Sequence, residues 1–274
     1  MGLRINTNVA ALNTARILRR STGALNRSLE RLASGLRINR AADDAAGLAI
    51  AEGFNSVVRG AQVAQRNAQD GISLVQTAEG ALEVTTNILQ RIRELAVQSA
   101  NGTNSPQNRL DMNEEVIQLI GQIDDIANNT EFNGVNPLDG SAGSIVLQVG
   151  AEVGQTLTLS FTDATAAALG VAGTTLVDPV SNSTDAIAEV DAALTLVNTQ
   201  RAVFGAVQNR LEFTIATLAI QEANSAASES AIRDADIALE TIEFTRNQIL
   251  VSAGTSILAQ ANIIPQTALQ LLGG

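Results

Sequence analysis

The sequence contains no cysteine, histidine, lysine, tyrosine or tryptophan, and only 2% of it is aromatic. Each absence removes a class of chemistry. Without Cys or His there is no zinc site of the usual kinds, no thiol nucleophile and no imidazole base. Without Lys there is no Schiff base, and a G-x-x-x-x-G-K-[ST] phosphate loop cannot be written. Carboxylates, hydroxyls and arginine remain. A carboxylate-pair hydrolase built from them would lack the aromatics on which a sugar stacks. Composition therefore speaks against an enzyme, and no cofactor or metal is expected. All 17 basic residues are arginine, set against 28 acidic ones for a net charge of −11. An acidic balance with few stacking rings also argues against nucleic acid. No apolar run approaches the ~18 residues of a membrane span, so no membrane insertion is expected. The start, Met1 to Asn8, has no apolar signal core, and Asn6 stands where a myristoylation motif wants Ser or Thr. Export, if it occurs, is expected to bypass a cleavable signal.

What is present favours helix. The 274 residues are 45% hydrophobic and rich in Ala, Leu, Ile, Gln, Asn and Arg. In the N-terminal stretch Leu18, Leu25, Leu29, Leu32 and Leu36 step by threes and fours if Thr22 is allowed as a gap, the spacing of a coiled-coil seam. The pattern lapses near Arg37-Ile38-Asn39-Arg40 and resumes at Asp43-Asp44, carboxylates suited to a helix N-terminus. Helix then fits 45–100, a rod of ~80 Å at 1.5 Å per residue, ending at Asn101-Gly102 before Pro106. Asn101-Gly102-Thr103 also has the form of a glycosylation sequon, but the helix stop is the better reading. A second helix spans about 107–129, with Val116, Leu119, Ile123 and Ile126 as its apolar face. Turn residues follow over 131–140, then two alternating strands at 144–149 and 156–161 joined as a hairpin. Residues 162–183 read as a surface loop with a short helical turn.

Helix returns near Thr184. Ile187, Val190, Leu194, Val197, Phe204, Leu211, Ile215 and Leu218 share one seam, with Arg201 and Gln208 as polar members. The pattern weakens over Glu222–Ser230. Ile232, Ala235, Leu239, Ile242, Ile249 and Ala253 take it up again. Both ends thus read as helix, lapse, helix, and an isolated helix is marginal in water. Each arm needs a partner, either the opposite end of the chain or a neighbouring copy. The fold class is mostly α, with long helices, a terminal coiled coil and a small β-hairpin region near 131–161. The domains are 1–42 with 232–274, and 43–231.

Several stretches resemble bacterial flagellins. At the N-terminal end these are Leu29-Glu30-Arg31-Leu32-Ala33-Ser34-Gly35-Leu36-Arg37-Ile38-Asn39, then Asp43 to Ala51, Arg66 to Ser73, and Ile88 to Asn101. Phe132-Asn133-Gly134 sits where that family turns into its hairpins. Ala206 to Leu211, Arg233-Asp234-Ala235-Asp236 and Ala253 to Asn262 complete the set. The resemblance covers about 1–140 and 185–272 and implies a short form without the variable outer domains. It implies a structural subunit that is exported unfolded and polymerises outside the cell into the flagellar filament for swimming. The implied partners are further copies of itself, the flagellar export apparatus, an export chaperone, and cap and hook-junction proteins. The candidate polymerisation seam is Leu25, Leu29, Leu32, Leu36, Ile232, Leu239, Ile242 and Ile249. Arg91 and Leu95, with Glu115 on the following helix, match the patch bound in this family by a host Toll-like innate receptor.

Blander readings stand beside these. Leucine seams alone are ordinary core in most helical proteins. Asp43-Asp44 has no visible third ligand, so a helix start is preferred to a metal or acid–base site. Arg91, Arg93 and Glu94 would otherwise be a solvated face with local ion pairs. The rival functions are a hook–filament junction protein, which shares the terminal helices, and a carboxylate-dependent hydrolase on a helical scaffold.

Overall fold

The computed structural model describes residues 7–177 and 180–272, with side chains as far as residue 263 in the last helix. The outer limits of the terminal domain and the Gly273-Gly274 ending lie outside the described residues. Among the described residues five helices and one hairpin follow in order: α1 Val9–Ser34, α2 Ala45–Ser99, α3 Pro106–Asn129, β1 Ser144–Gln148, β2 Thr156–Ser160, α4 Val180–Arg233 and α5 Ile237–Leu272.

Local chemistry sets the helix ends. Asn8 caps α1 by accepting from the Ala11 amide at 3.0 Å. Gly35 ends it in the left-handed region at φ 73°, its amide donating back to the Arg31 carbonyl. Asp44 accepts from the Gly47 amide at 2.9 Å at the start of α2. Ser105 caps α3 with Pro106 in its first turn. Asp236 starts α5 by accepting from the amides of Ala238 and Leu239.

The chain forms two compact units, Met1–Ser56 with Asn224–Gly274, and Val57–Ala223, divided inside α2 and α4. The second unit holds the main core. Leu82, Leu89 and Ile92 of α2, Val116 and Ile123 of α3, and Val190, Val197, Phe204 and Leu211 of α4 are all buried there. β1 and β2 pair antiparallel, Ser144 opposite Ser160 and Gln148 opposite Thr156. Alternation puts Leu157 and Leu159 into the core and leaves Val146 on the outer face. The hairpin seats on α2 where two glycines stand. A Cβ at Gly71 would collide with the Leu147 side chain, and one at Gly60 would lie 2.8 Å from the Ala151 Cβ.

In the first unit α1 packs antiparallel to α5. Asn8 donates to the Ala261 carbonyl at 2.7 Å, Leu18 abuts Gly254, and Arg31 meets Glu240 at 3.6 Å. The breaks lock together as well: Leu36 bridges Asp234, the Arg37 amide donates to the Arg233 carbonyl, and the Ala235 amide to that of Gly35.

Three sequence expectations need correction. α4 begins at Val180, a turn before Thr184, and it runs unbroken through 222–230. Alanines, glutamates and serines carry no large apolar pattern there, yet they sustain a helix, and the real break is at 234–236. The coiled-coil seam is also displaced. The inward line of α1 is Ala11, Thr14, Leu18, Ser21, Leu25, Ser28 and Leu32, with Ser21 and Ser28 buried while Leu29 is exposed. On α5 the inward line is Glu240, Phe244, Asn247, Val251, Gly254, Leu258 and Ala261, so Leu239, Ile242 and Ile249 point to solvent. Small and polar residues let these two backbones approach, as Gly254 does beside Leu18. A search keyed on large side chains therefore finds Leu18, Leu25 and Leu32 on the inward line of α1 but selects the wrong face of α5.

Candidate functional site

The outward faces of α1 and α5 carry a second set of large apolar residues. Leu12 and Ile17 on α1, and Ile237, Leu239, Ile242, Ile249, Leu250, Ile257 and Ile263 on α5, are about half exposed or more. From Asn247 to Leu272 the sequence has no charged residue. Thr241, Ile242, Thr245, Arg246, Ile249 and Leu250 line a shallow groove of about 430 Å³ on this face. Covering one such side chain is worth ~1.5–3 kcal/mol, and a contiguous exposed patch of this kind marks an interaction surface. Among the described residues no helix is long and apolar enough to cross a membrane.

The eight candidate seam residues divide between two environments. Leu25 and Leu32 are half-buried on the α1–α5 contact, and Leu36 and Ile232 are half-buried at the two helix breaks. Leu29, Leu239, Ile242 and Ile249 are exposed. The missed members of the inner contact, Ser21, Ser28, Asn247 and Gly254, have no apolar signature. Only the strict three–four spacing from Leu18, Leu25 and Leu32 points to the two serines.

The second candidate region is an ion network on α2 and α3. The Arg91 Nε donates to Glu115 Oε1 at 2.9 Å and its Nη1 to Glu94 Oε2 at 3.0 Å. The hydrogen bond to Glu115, then that to Glu94, raise the pKa of the guanidinium further above its ordinary value. Arg91 and Glu115, distant in sequence, are therefore brought together. Leu95 is not with them. It is 2% exposed and packed in the main core with Ile92, Ala96 and Val116. Four residues after Arg91 the helix has turned toward the buried line of Leu89, Ile92 and Ala96, so Leu95 offers no surface to a partner.

Asp43 and Asp44 are both engaged by backbone. Asp43 Oδ2 accepts from the amides of Arg40 and Asn39, which hold its carboxyl below the ordinary value of 3.8. Among the described residues no group of three potential ligands could hold a metal ion.

The chain matches two family models, the bacterial flagellin N-terminal helical region over residues 5–143 and the bacterial flagellin C-terminal helical region over 187–272. It is 47% identical to a flagellin of Halalkalibacterium halodurans, covering 98% of this chain and 99% of that one. The chain belongs to the bacterial flagellin family. It is also 44% identical to the flagellar filament 31.3 kDa core protein of Treponema maltophilum, over 98% of this chain and 99% of the relative. A crystal structure of Bacillus cereus flagellin superposes with a TM-score of 0.51 at 38% identity, covering 56% of this chain and 88% of that one. As a flagellin the chain is a structural subunit of the flagellar filament, which lies outside the cell. Its length matches a form without variable outer domains.

Proposed function

We propose that the chain polymerises through the outward faces of α1 and α5, so that its function is mechanical rather than catalytic. The observation that carries this reading is the row of large apolar side chains that the terminal pair leaves on its outside. The contact between α1 and α5 alternates small and polar side chains with Leu18, Leu25, Leu32, Phe244, Val251 and Leu258, while Leu12 and Ile17 of α1 and Ile237, Leu239, Ile242, Ile249 and Ile257 of α5 are held outside it. A monomer gains nothing from that arrangement; a polymer buries it. The arms 1–42 and 232–274 act as the assembling domain and 43–231 as its support. An unfolded, cysteine-free chain can pass a narrow export channel, which fits delivery by the flagellar export apparatus with a chaperone and assembly between cap and hook-junction proteins. The test is a pair of substitutions, Ile242→Asp with Ile249→Asp. Both positions are exposed, so the monomer should keep its helicity, while seeded filament growth seen by negative-stain microscopy should stop. Filaments of normal length would refute the assignment of this face.

A second reading concerns host recognition. The Arg91–Glu115 pair is an exposed, preassembled polar feature on two helices. It is the part of the resemblance-derived patch that remains once Leu95 is removed. The reading is that free monomer engages a Toll-like receptor through Arg91 and Glu115, and that polymer packing covers them.

A further inference from the structure

The sequence has two Asn-Gly steps, Asn101-Gly102 in the turn between α2 and α3 and Asn133-Gly134 in the turn after α3. All four residues are exposed. Asparagine before glycine is open to attack on its own side chain, because no Cβ hinders the next backbone nitrogen from reaching the carboxamide. The two turns present that nitrogen differently. The Gly134 amide donates to Glu131 Oε1 at 2.8 Å. A carboxylate at that distance holds the proton and opposes the negative charge that its loss creates. The Gly102 amide meets no acceptor among the described residues. Donors gather instead on the two oxygens of Asn101. Its main-chain oxygen, which shares the charge of a deprotonated Gly102 nitrogen, accepts from the Asn104 amide at 3.2 Å and lies 3.5 Å from Arg109 Nη2. Arg109 is 5% exposed, and its Nε donates to the Ser99 carbonyl at 3.0 Å, so a positive charge is fixed at the end of α2. The Asn101 Oδ1, where charge collects when the carboxamide is attacked, accepts from the Thr103 amide at 3.3 Å. Donors held where charge develops lower a barrier without reorganising.

We propose that Asn101 is a covalent modification site, deamidated by attack of the Gly102 nitrogen, while the same step at Asn133 is held back by Glu131. The Gly102 nitrogen gives its proton to solvent hydroxide, and its electron pair forms a bond to Asn101 Cγ. The Cγ–Nδ2 bond breaks, and that nitrogen takes a proton from water and leaves as ammonia. Water then opens the cyclic imide. Addition at Cγ breaks the new bond and leaves aspartate. Addition at the main-chain carbon breaks the original peptide bond and leaves an isoaspartyl link through Cγ. Either way one water is consumed and one ammonia released, with no oxidant or cofactor. The isoaspartyl product lengthens the α2–α3 turn by one backbone atom and displaces the carbonyl beside Arg109. The inference is independent of the assembly reading, since it concerns a turn within one copy of the chain.

The full chain is incubated at mildly alkaline pH, folded in one series and in urea in the other, and digested briefly with trypsin. Cleavage after Arg93 and Arg109 isolates the first site in residues 94–109, and the second falls in 110–201. Fragment masses then locate each replacement of NH by O. In the folded chain Asn101 should convert at least about ten-fold faster than Asn133, equivalent to ~1.4 kcal/mol between the two barriers. Urea should bring the two rates together, because it removes both the Arg109 charge and the Glu131 hydrogen bond from their places. Glu131→Gln, an exposed substitution, should speed Asn133 and leave Asn101 unchanged. Arg109→Gln should slow Asn101 several-fold and leave Asn133 unchanged; should that buried substitution unfold the chain, the urea series and Glu131→Gln still decide. Equal rates in the folded chain would overturn the proposal. So would a ratio that persists undiminished in urea, since it would then belong to the neighbouring residues and not to the fold.

Discussion

Glycine in a helix interior costs about 1 kcal/mol relative to alanine, so replacing it should stabilise α2 wherever space allows. α2 offers a matched pair of sites. Gly80 is exposed, and a Cβ there meets nothing within 4 Å. Gly71 is buried under the hairpin, where a Cβ would collide with a Leu147 methyl and lie 3.5 Å from Leu211 Cδ1. Gly80→Ala should therefore stabilise by about 1 kcal/mol. Gly71→Ala makes the same backbone gain but must rotate Leu147 off its position, at ~0.5–1.5 kcal/mol for the rotamer and ~1–3 kcal/mol if the core is overpacked. The expected net effect runs from neutral to about 2 kcal/mol destabilising. Leu147→Ala removes the colliding atom, so on that background Gly71→Ala should become favourable, with a coupling energy of about 1–3 kcal/mol across the cycle. Urea unfolding of the full chain followed by far-UV circular dichroism measures all four variants. If Gly71→Ala stabilises the parent chain as much as Gly80→Ala does, the hairpin is not seated on α2 as described.

The two sides of the Arg91 region should separate cleanly. Leu95→Ala is expected to cost ~2–5 kcal/mol as a core truncation, read as a lowered urea midpoint, whereas Arg91→Ala should leave the midpoint unchanged. In a reporter-cell dose curve on purified monomer, Arg91→Ala should weaken signalling about ten-fold or more, and an unchanged curve would reject the receptor reading. The loop between α1 and α2 should respond to acid. The folded-state pKa of Asp43 is lowered by the Arg40 and Asn39 amides, so its contribution is present above 3.8 and is lost as pH falls through the lower folded value. Hydrogen exchange at those two amides should stay slow on acidification to pH 4 and quicken below that, a rise that Asp43→Asn removes; pH-independent protection would show that the carboxylate does not hold the loop.

Much of the architecture was legible from local rules. The stops at Ser34 and Ser99, the start at Pro106 and both strands were expected within a few residues, because caps, prolines and two-residue alternation act over short distances. The core line of α4 through Val197, Phe204 and Leu211 was legible for a related reason: it is composed of large apolar residues that are buried in the same chain. The pairing of Arg91 with Glu115 required knowing how α3 folds back on α2, which no spacing reveals. The receptor patch implied by the resemblance needs Leu95 at the surface, although its helical phase matches the buried Leu89 and Ile92, so there the sequence held the answer.

The terminal helices mark the boundary between the two kinds of information. Sequence alone determined that both ends are helical, that they lapse and resume, and that their apolar residues need covering. It could not say which face each helix turns toward the other. That choice depends on how small and large residues alternate across the contact, with Gly254 against Leu18 and Ser21 and Ser28 buried between Leu18, Leu25 and Leu32. Only the tertiary structure shows that Ile242 and Ile249 lie on the outside, because a hydrophobic period records that a surface will be buried but not against what.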